Sequence, residues 1–380
     1  MISKRALEMP PFIVMEILER AQAMERQGKN VIHLEIGEPD FSTPQPIRDA
    51  GCRAIMEGKT QYTHSLGLIE LREAIVDHYF EKYGVKVSAE QVIITSGTSP
   101  AMLLVFAALL NPGDKVILSN PGYACYPNFV RFAEGQPSFI NVYEEDGFQY
   151  RPEDIKKALD KKVKAIMINS PSNPTGNILS EATMKEIADM AADSLYIVSD
   201  EIYHGLAYEG KEHSILEFTD RAFVLNGFSK LYAMTGWRLG YAIAPKEFIR
   251  SMQKIQQNLF ISANSFVQWA GIAALKETGE HIAKMVATYN ERRKFLIPRL
   301  KGIGFGITVE PTGAFYIFAN AKNFGGNSYK LAIDILENAL VALTPGIDFG
   351  SNAEGYLRFS YANSLENIAE ACDRLEKYLK

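Results

Sequence analysis

Two cations and their spacing offer the chain's clearest chemistry. Between Asn226 and Tyr241 lie one lysine, Lys230, and, eight residues on, one arginine, Arg238. Phe223 to Leu225 before them and Leu239 to Ala244 after them are apolar and read as short buried strands, so both cations sit on a polar, glycine-containing loop between strands. A lysine held close to buried strands sheds its charge readily and can act as a nucleophile or Schiff-base former. An arginine beside it offers a planar fork to a phosphate. Singly, each also fits a solvated surface loop, so their meaning depends on what else the chain gathers around them.

Further residues with chemical potential follow short apolar runs. Ser96, Gly97 and Thr98 follow Val92–Thr95. Tyr123 comes shortly after Val116–Ser119. Asn173, in Asn173-Pro-Thr-Gly176, follows Ala165–Asn169, and Asp200 and Tyr203 follow Leu195–Ser199. Each has a plain alternative: a helix N-terminus for Ser-Gly-Thr, a turn for Asn-Pro-Thr-Gly, a cap for Asp200, a core position for Tyr203. Together, and in this order, they mark one edge of a sheet, because ligands of open parallel sheets bind at the carboxyl ends of the strands.

The elements needed to position them are legible as a rhythm. From Val92 to Asp200, short apolar strands alternate with helical segments, including one from Ser180 to Ala192, which predicts an α/β fold with a mostly parallel sheet between helices. After Ala244 the pattern changes to long helices at Lys246–Leu259, Phe266–Lys276 and His281–Leu300. Strands are expected at Val31–Ile36, Gly304–Val309, Ala314–Phe318 and Tyr356–Tyr361, with closing helices at Tyr329–Ala339 and Leu365–Leu379. The division expected is a large domain over 46–287 and a smaller α+β domain over 288–380, which the segment 1–45 joins.

Composition narrows the function. The 380 residues are 47% hydrophobic and 22% charged, as in a soluble enzyme. The net charge of −5 disfavours nonspecific binding to nucleic acid or an anionic membrane. Cys52, Cys125 and Cys372 are widely spaced and form no disulfide framework, which suits a reducing cytoplasm. The start of the chain lacks the apolar core of a signal peptide, and no apolar run approaches the roughly 20 residues of a membrane span. The six histidines form no metal-binding spacing, so no metal is expected.

The stretch Ser229-Lys-x-x-x-Met-Thr-Gly-Trp-Arg238, together with Asn-Pro-Thr-Gly and Ser-Asp-Glu-Ile-Tyr203, resembles the class I, fold-type I pyridoxal-phosphate aminotransferases, in the branch holding many bacterial and archaeal aspartate and alanine enzymes. The resemblance spans essentially the whole chain. It implies a seven-stranded, mostly parallel sheet and pyridoxal 5'-phosphate as cofactor, with Lys230 as Schiff-base lysine. It also implies that Asp200 faces the pyridine nitrogen, Tyr203 and Asn173 the ring oxygen, and Tyr123 the ring face. Gly97, Thr98, Ser229 and Arg238 match phosphate contacts, and Tyr62 a tyrosine that reaches the phosphate across a homodimer interface. Arg358, in Leu-Arg-Phe-Ser360, matches the clamp on the substrate α-carboxylate, with Gly37 beside it. One position departs: Gly227 stands where many relatives carry a phosphate-binding serine.

The activity so implied is transfer of an amino group from an L-amino acid to a 2-oxo acid in a ping-pong cycle, in amino-acid metabolism. Lys230 would remove and return the Cα proton. Which amino acid serves is not readable, since no residue stands out as a second cation for a dicarboxylate; Arg20 and Arg131 read as solvated. The same scaffold hosts carbon–sulfur β-lyases, and such domains also occur as sensors fused to DNA-binding helices. About 35 residues precede Gly37, against the roughly 60 that a winged-helix module needs.

Overall fold

Alternate residues of the central strands feed two separate cores, which is what a sheet buried on both faces requires. The computed structural model describes residues 2–191 and 195–380. Its strands are β1 (Ile32–His33), β2 (Val92–Thr95), β3 (Lys115–Asn120), β4 (Gln136–Asn141), β5 (Val163–Asn169), β6 (Tyr196–Asp200), β7 (Ala222–Gly227), β8 (Gly240–Ile243), β9 (Tyr316–Asn320), β10 (Val341–Ala342), β11 (Thr344–Pro345) and β12 (Tyr356–Ser360). Ile94, Ile117, Ile166, Ile197 and Val224 point to one face, where helices Ile69–Tyr83, Glu181–Ala191 and Ser265–Glu277 lie. Ile93, Val116, Met167, Val198 and Phe223 point to the other, under helices Thr98–Leu109 and Lys246–Leu259.

The large sheet has seven strands in the order β2-β8-β7-β6-β5-β3-β4, as expected. Strands β3 to β7 run parallel, whereas β8 runs antiparallel to both its neighbours, β2 and β7. This reversal positions the site. The loop that leaves the carboxyl end of β7 returns as β8 at the same edge, with Gly227 paired to Gly240, so everything on that loop stays at the ligand-binding edge. Asn169 pairs with Asp200, and Asp200 with Leu225, which aligns the ends of β5, β6 and β7.

A second sheet, β11-β12-β9, is antiparallel. The N-terminal segment is built into this part of the molecule: β1 pairs in parallel with β10, and Ile17, Ala21 and Met24 pack on Leu336 and Ala342. Helix Gly279–Ile303 runs through position 288, where a domain boundary is expected from sequence.

Two expected strands are corrected. Val31–Ile36 forms only the two-residue β1 because its backbone bonds go to different partners: Leu34 N–H donates to Ala342, while Leu34 C=O accepts from Ser360. Gly304–Val309 makes a single bridge, Gly306 to Asn320; a Cβ at Gly306 would lie 3.1 Å from that of Asn320, and Gly304 takes φ +121°, so the run is bent and close-packed. The helix expected from Ser180 runs as Glu181–Ala191; Ala192 lies outside the described residues. A short helix, Lys4–Glu8, and strands β10 and β11 were not apparent from periodicity. Among the described residues, no helix is long and apolar enough to cross a membrane.

Candidate active site

A cavity of about 380 Å³ opens at the carboxyl edge of the large sheet. Of the residues singled out from sequence, Gly37, Thr98, Tyr123, Asn173, Asp200, Tyr203, Ser229, Lys230, Arg238 and Arg358 line it.

Lys230 projects from the β7–β8 loop, and its amine donates to the Gly37 carbonyl at 2.6 Å. The ammonium lies 6.0 Å from the centre of the Tyr203 ring. Burial lowers its pKa to about 8; Glu38 opposes this, while Arg358 and Arg238 reinforce it. A neutral amine is therefore accessible near physiological pH.

Arg238 takes the left-handed φ of +53°, uncommon for a side chain of its size and often found at functional sites. Its guanidinium donates to the Thr235 carbonyl at 2.9 Å and lies against Gly97. A Cβ at Gly97 would come within 2.6 Å of Arg238 Nη2, and Gly97 itself takes φ +100°, so only glycine allows the approach. Gly97 thus stands behind the cavity wall as the N-cap of helix Thr98–Leu109, whose first turn has no side-chain cap and no acidic residue. Free amides and a guanidinium at one helix start form an anion seat. Ser229 borders the cavity and Gly227 does not; a Cβ at Gly227 would lie 3.0 Å from Gly240 Cα and Leu239 O. The β7–β8 pairing leaves little room for a side chain at position 227.

Asp200 ends β6. Its carboxylate accepts from the Tyr126 hydroxyl at 2.7 Å and from the Ile202 N–H at 3.1 Å. Burial raises its pKa to about 6, against the lowering effect of those two donors. Asn169 joins neighbouring loops by donating to the Asp200 carbonyl at 2.9 Å and accepting from Asn173 N–H at 2.8 Å. Tyr203 shares a 2.7 Å hydrogen bond with Tyr316. The Tyr123 ring meets Tyr126 edge-on at 5.1 Å and Phe12 at 6.1 Å.

Arg358, on β12, is buried. It donates to Asn173 Oδ1 at 2.9 Å, to Thr344 Oγ1 at 3.1 Å and to the Glu35 carbonyl. It lies over the Tyr316 ring at 4.5 Å, and its Nε has no protein partner. Gly37 is tight here as well: a Cβ would run into the Tyr316 hydroxyl. Tyr62 does not line the cavity and is 81% exposed.

Sequence reasoning missed Tyr126, Tyr316, Asn169, Thr344 and the apolar wall contributed by Phe12, Met15 and Leu18. Tyr126 was findable, since it lies three residues after Tyr123. Tyr316 sits in a run that reads as core, and nothing local sets it apart.

Sheet order, strand directions and the loop placement of Lys230 define the class: a fold-type I pyridoxal-phosphate enzyme. The solved structure of Thermus thermophilus aspartate aminotransferase with maleate superposes with a TM-score of 0.96 at 36% identity, covering all of both chains. A Methanococcus jannaschii structure, described as similar in its active site to kynurenine aminotransferases, gives 0.93 at 43% over all of both chains. In sequence, a (5-formylfuran-3-yl)methyl phosphate transaminase of Methanocaldococcus jannaschii is 45% identical over the full length of both chains. An aspartate aminotransferase of Pyrococcus horikoshii is 43% identical over 100% of this chain and 97% of its own. The model of the aminotransferase class I and II family matches residues 29–375. The chain belongs to that family; it is a pyridoxal-phosphate-dependent transaminase, and these relatives lend no support to the carbon–sulfur lyase alternative.

Proposed function

We propose that this protein moves an amino group between an L-amino acid and a 2-oxo acid, with Lys230 as proton carrier, and works as a cytoplasmic homodimer. The observation that carries the reading is the convergence of the Lys230 amine, the buried Asp200 carboxylate and the Arg358 guanidinium on one cavity. The residues fit the cofactor. Arg238, the amides of Thr98 and Ser99, and Ser229 would hold the phosphate. Asp200, desolvated and ionised at neutral pH, would hold a proton on the pyridine nitrogen. Asn173 Nδ2 and the Tyr203 hydroxyl would donate to the ring oxygen, and Tyr123 would cover the ring face. When bound, pyridoxal phosphate withdraws electrons from the amino-acid Cα and so makes its hydrogen acidic.

The rest is done by the chain. Arg358 binds the α-carboxylate and fixes the direction of the Cα–H bond. The Lys230 amine, neutral in part at pH 7 to 8, takes that proton and delivers it back to the other reacting carbon, serving as base and then acid. The Gly37 carbonyl, which accepts from the amine at 2.6 Å, orients it.

The dimer reading rests on Tyr62, which is exposed in the single chain and matches a residue that reaches a partner's phosphate. Its loop is fastened to helix Lys246–Leu259 through Ser65, which accepts from Gln253 at 2.9 Å and Gln257 at 3.0 Å. Leu259, Phe260 and Ile261, where that helix ends, are exposed too, and an apolar group of this kind marks an interaction surface.

The test is a spectrum of the purified holoenzyme as single amino acids are added. The cofactor band should shift with at least one amino acid and return on addition of a 2-oxo acid. A band that no amino acid moves, or one moved only with release of ammonia, would contradict transamination.

A further inference from the structure

The cavity's charges are already committed, and much of the rest of its lining is apolar. Among the described residues that line it, the cations are Lys230, Arg238 and Arg358. Arg238 lies at the first turn of helix Thr98–Leu109, Lys230 carries the proton, and Arg358 is left for one carboxylate. Among the described residues of the single chain, no cation lining the cavity remains for a second. The lining charge without such a task is negative: Glu38, which accepts a hydrogen bond from Thr235.

The cavity's apolar wall includes Phe12, Val14, Met15, Leu18, Ile36 and the ring of Tyr316. It is continuous with both ends of the reacting geometry. Phe12 meets Tyr123 edge-on at 6.1 Å, and Tyr316 lies under the Arg358 guanidinium at 4.5 Å. The wall is also fixed in place. The carboxylate of Asp348 accepts from the N–H groups of Ile13 at 3.1 Å and Val14 at 3.3 Å, which caps the start of helix Ile13–Glu25 and so sets the position of Phe12, Met15 and Leu18.

We infer that the substrate side chain is apolar, up to the size of an aromatic ring, and that aspartate and glutamate are poor donors. This rests on the transaminase reading above and deepens it. An apolar wall gains from each methylene or ring face it takes out of water, whereas a second carboxylate placed there would lose its hydration with no cation to replace it and with Glu38 repelling it. The 2-oxo acid released keeps the donor's carbon skeleton and so carries the same apolar side chain. The inference departs from the aspartate in several relatives' names.

The test is single-turnover kinetics of the holoenzyme with phenylalanine, leucine, alanine, aspartate, glutamate and lysine, each without a 2-oxo acid. The best apolar donor should exceed aspartate and glutamate in kcat/KM by at least roughly tenfold. Aspartate or glutamate equal to it, or lysine above it, would overturn the inference. Silence with all six would fault the transaminase reading itself, and the inference with it. Met15 is 43% exposed, so Met15→Arg adds a cation at the cavity with little burden on folding. It should raise the aspartate-to-phenylalanine ratio by at least roughly tenfold; an unchanged ratio would show that this wall does not meet the substrate side chain and would overturn the inference. Should the variant not fold, the wild-type panel decides alone.

Discussion

Asp200 is kept where a carboxylate is least comfortable, and that discomfort is informative. Burial raises its pKa from 3.8 to about 6 despite hydrogen bonds from Tyr126 and Ile202. Its charge therefore costs the cofactor-free fold nothing below pH 3.8, where it is protonated in both states, and costs most above pH 6, where it ionises within the fold. Asp200→Asn should accordingly stabilise the cofactor-free protein by up to about 3 kcal/mol at pH 7.5 and leave it unchanged near pH 3.5, while lowering transamination by roughly 10²–10³-fold. Denaturant unfolding at the two pH values, alongside turnover, checks this; a variant less stable than wild type at pH 7.5 would show that the two hydrogen bonds outweigh desolvation. At this scale the charged residues that line one cavity were legible, because lysine and aspartate beside buried strands need a reason to be there. The sequence did not name Tyr126, whose hydroxyl donates to Asp200, or Tyr316, whose ring lies under Arg358. Aromatic residues in apolar runs look alike whether they fill a core or hold a carboxylate.

Among the elements, the N-terminal helix Ile13–Glu25 depends on contacts far from it in sequence. His33 in β1 bonds to buried Glu35 at 2.7 Å and meets Glu25, the last residue of that helix, at 3.2 Å. The hydrogen bond to Glu35 is the main reason its pKa rises to about 9. A raised histidine pKa stabilises the fold fully below 6.5, and the gain is lost as pH climbs through 9. Wild type should therefore be about 2 kcal/mol more stable than His33→Gln at pH 6, and the gap should close by pH 10. Paired unfolding curves across that range test it, and a constant gap would contradict the linkage. The strands and helices of the large sheet were legible because burial on both faces leaves unbroken apolar runs. The short strands were not. Leu34 splits its backbone bonds between Ala342 and Ser360, a choice set by tertiary contacts more than 300 residues away, and no local pattern records it.

For the whole molecule, the cavity is assembled from distant parts of the chain: Phe12 with the helix that begins at Ile13, the loop Ile36 to Glu38, the edge of the large sheet, Tyr316 on β9 and Arg358 on β12. The proposed dimer would add a stretch from the partner. If Tyr62 completes the partner's phosphate seat, Tyr62→Ala should weaken cofactor binding by roughly tenfold, about the worth of one hydrogen bond to a charged group. Mixing Tyr62→Ala with Lys230→Ala subunits should then restore one tight site per hybrid dimer, read by cofactor retention on dilution. No restoration would place Tyr62 outside any shared site. Everything proposed here depends on which amine the cofactor's aldehyde meets, and that can be read directly. Holoenzyme reduced with borohydride and digested should carry the added cofactor mass on the peptide containing Lys230, and Lys230→Ala treated alike should carry none. The label on any other lysine, or an unlabelled wild type, would contradict the account.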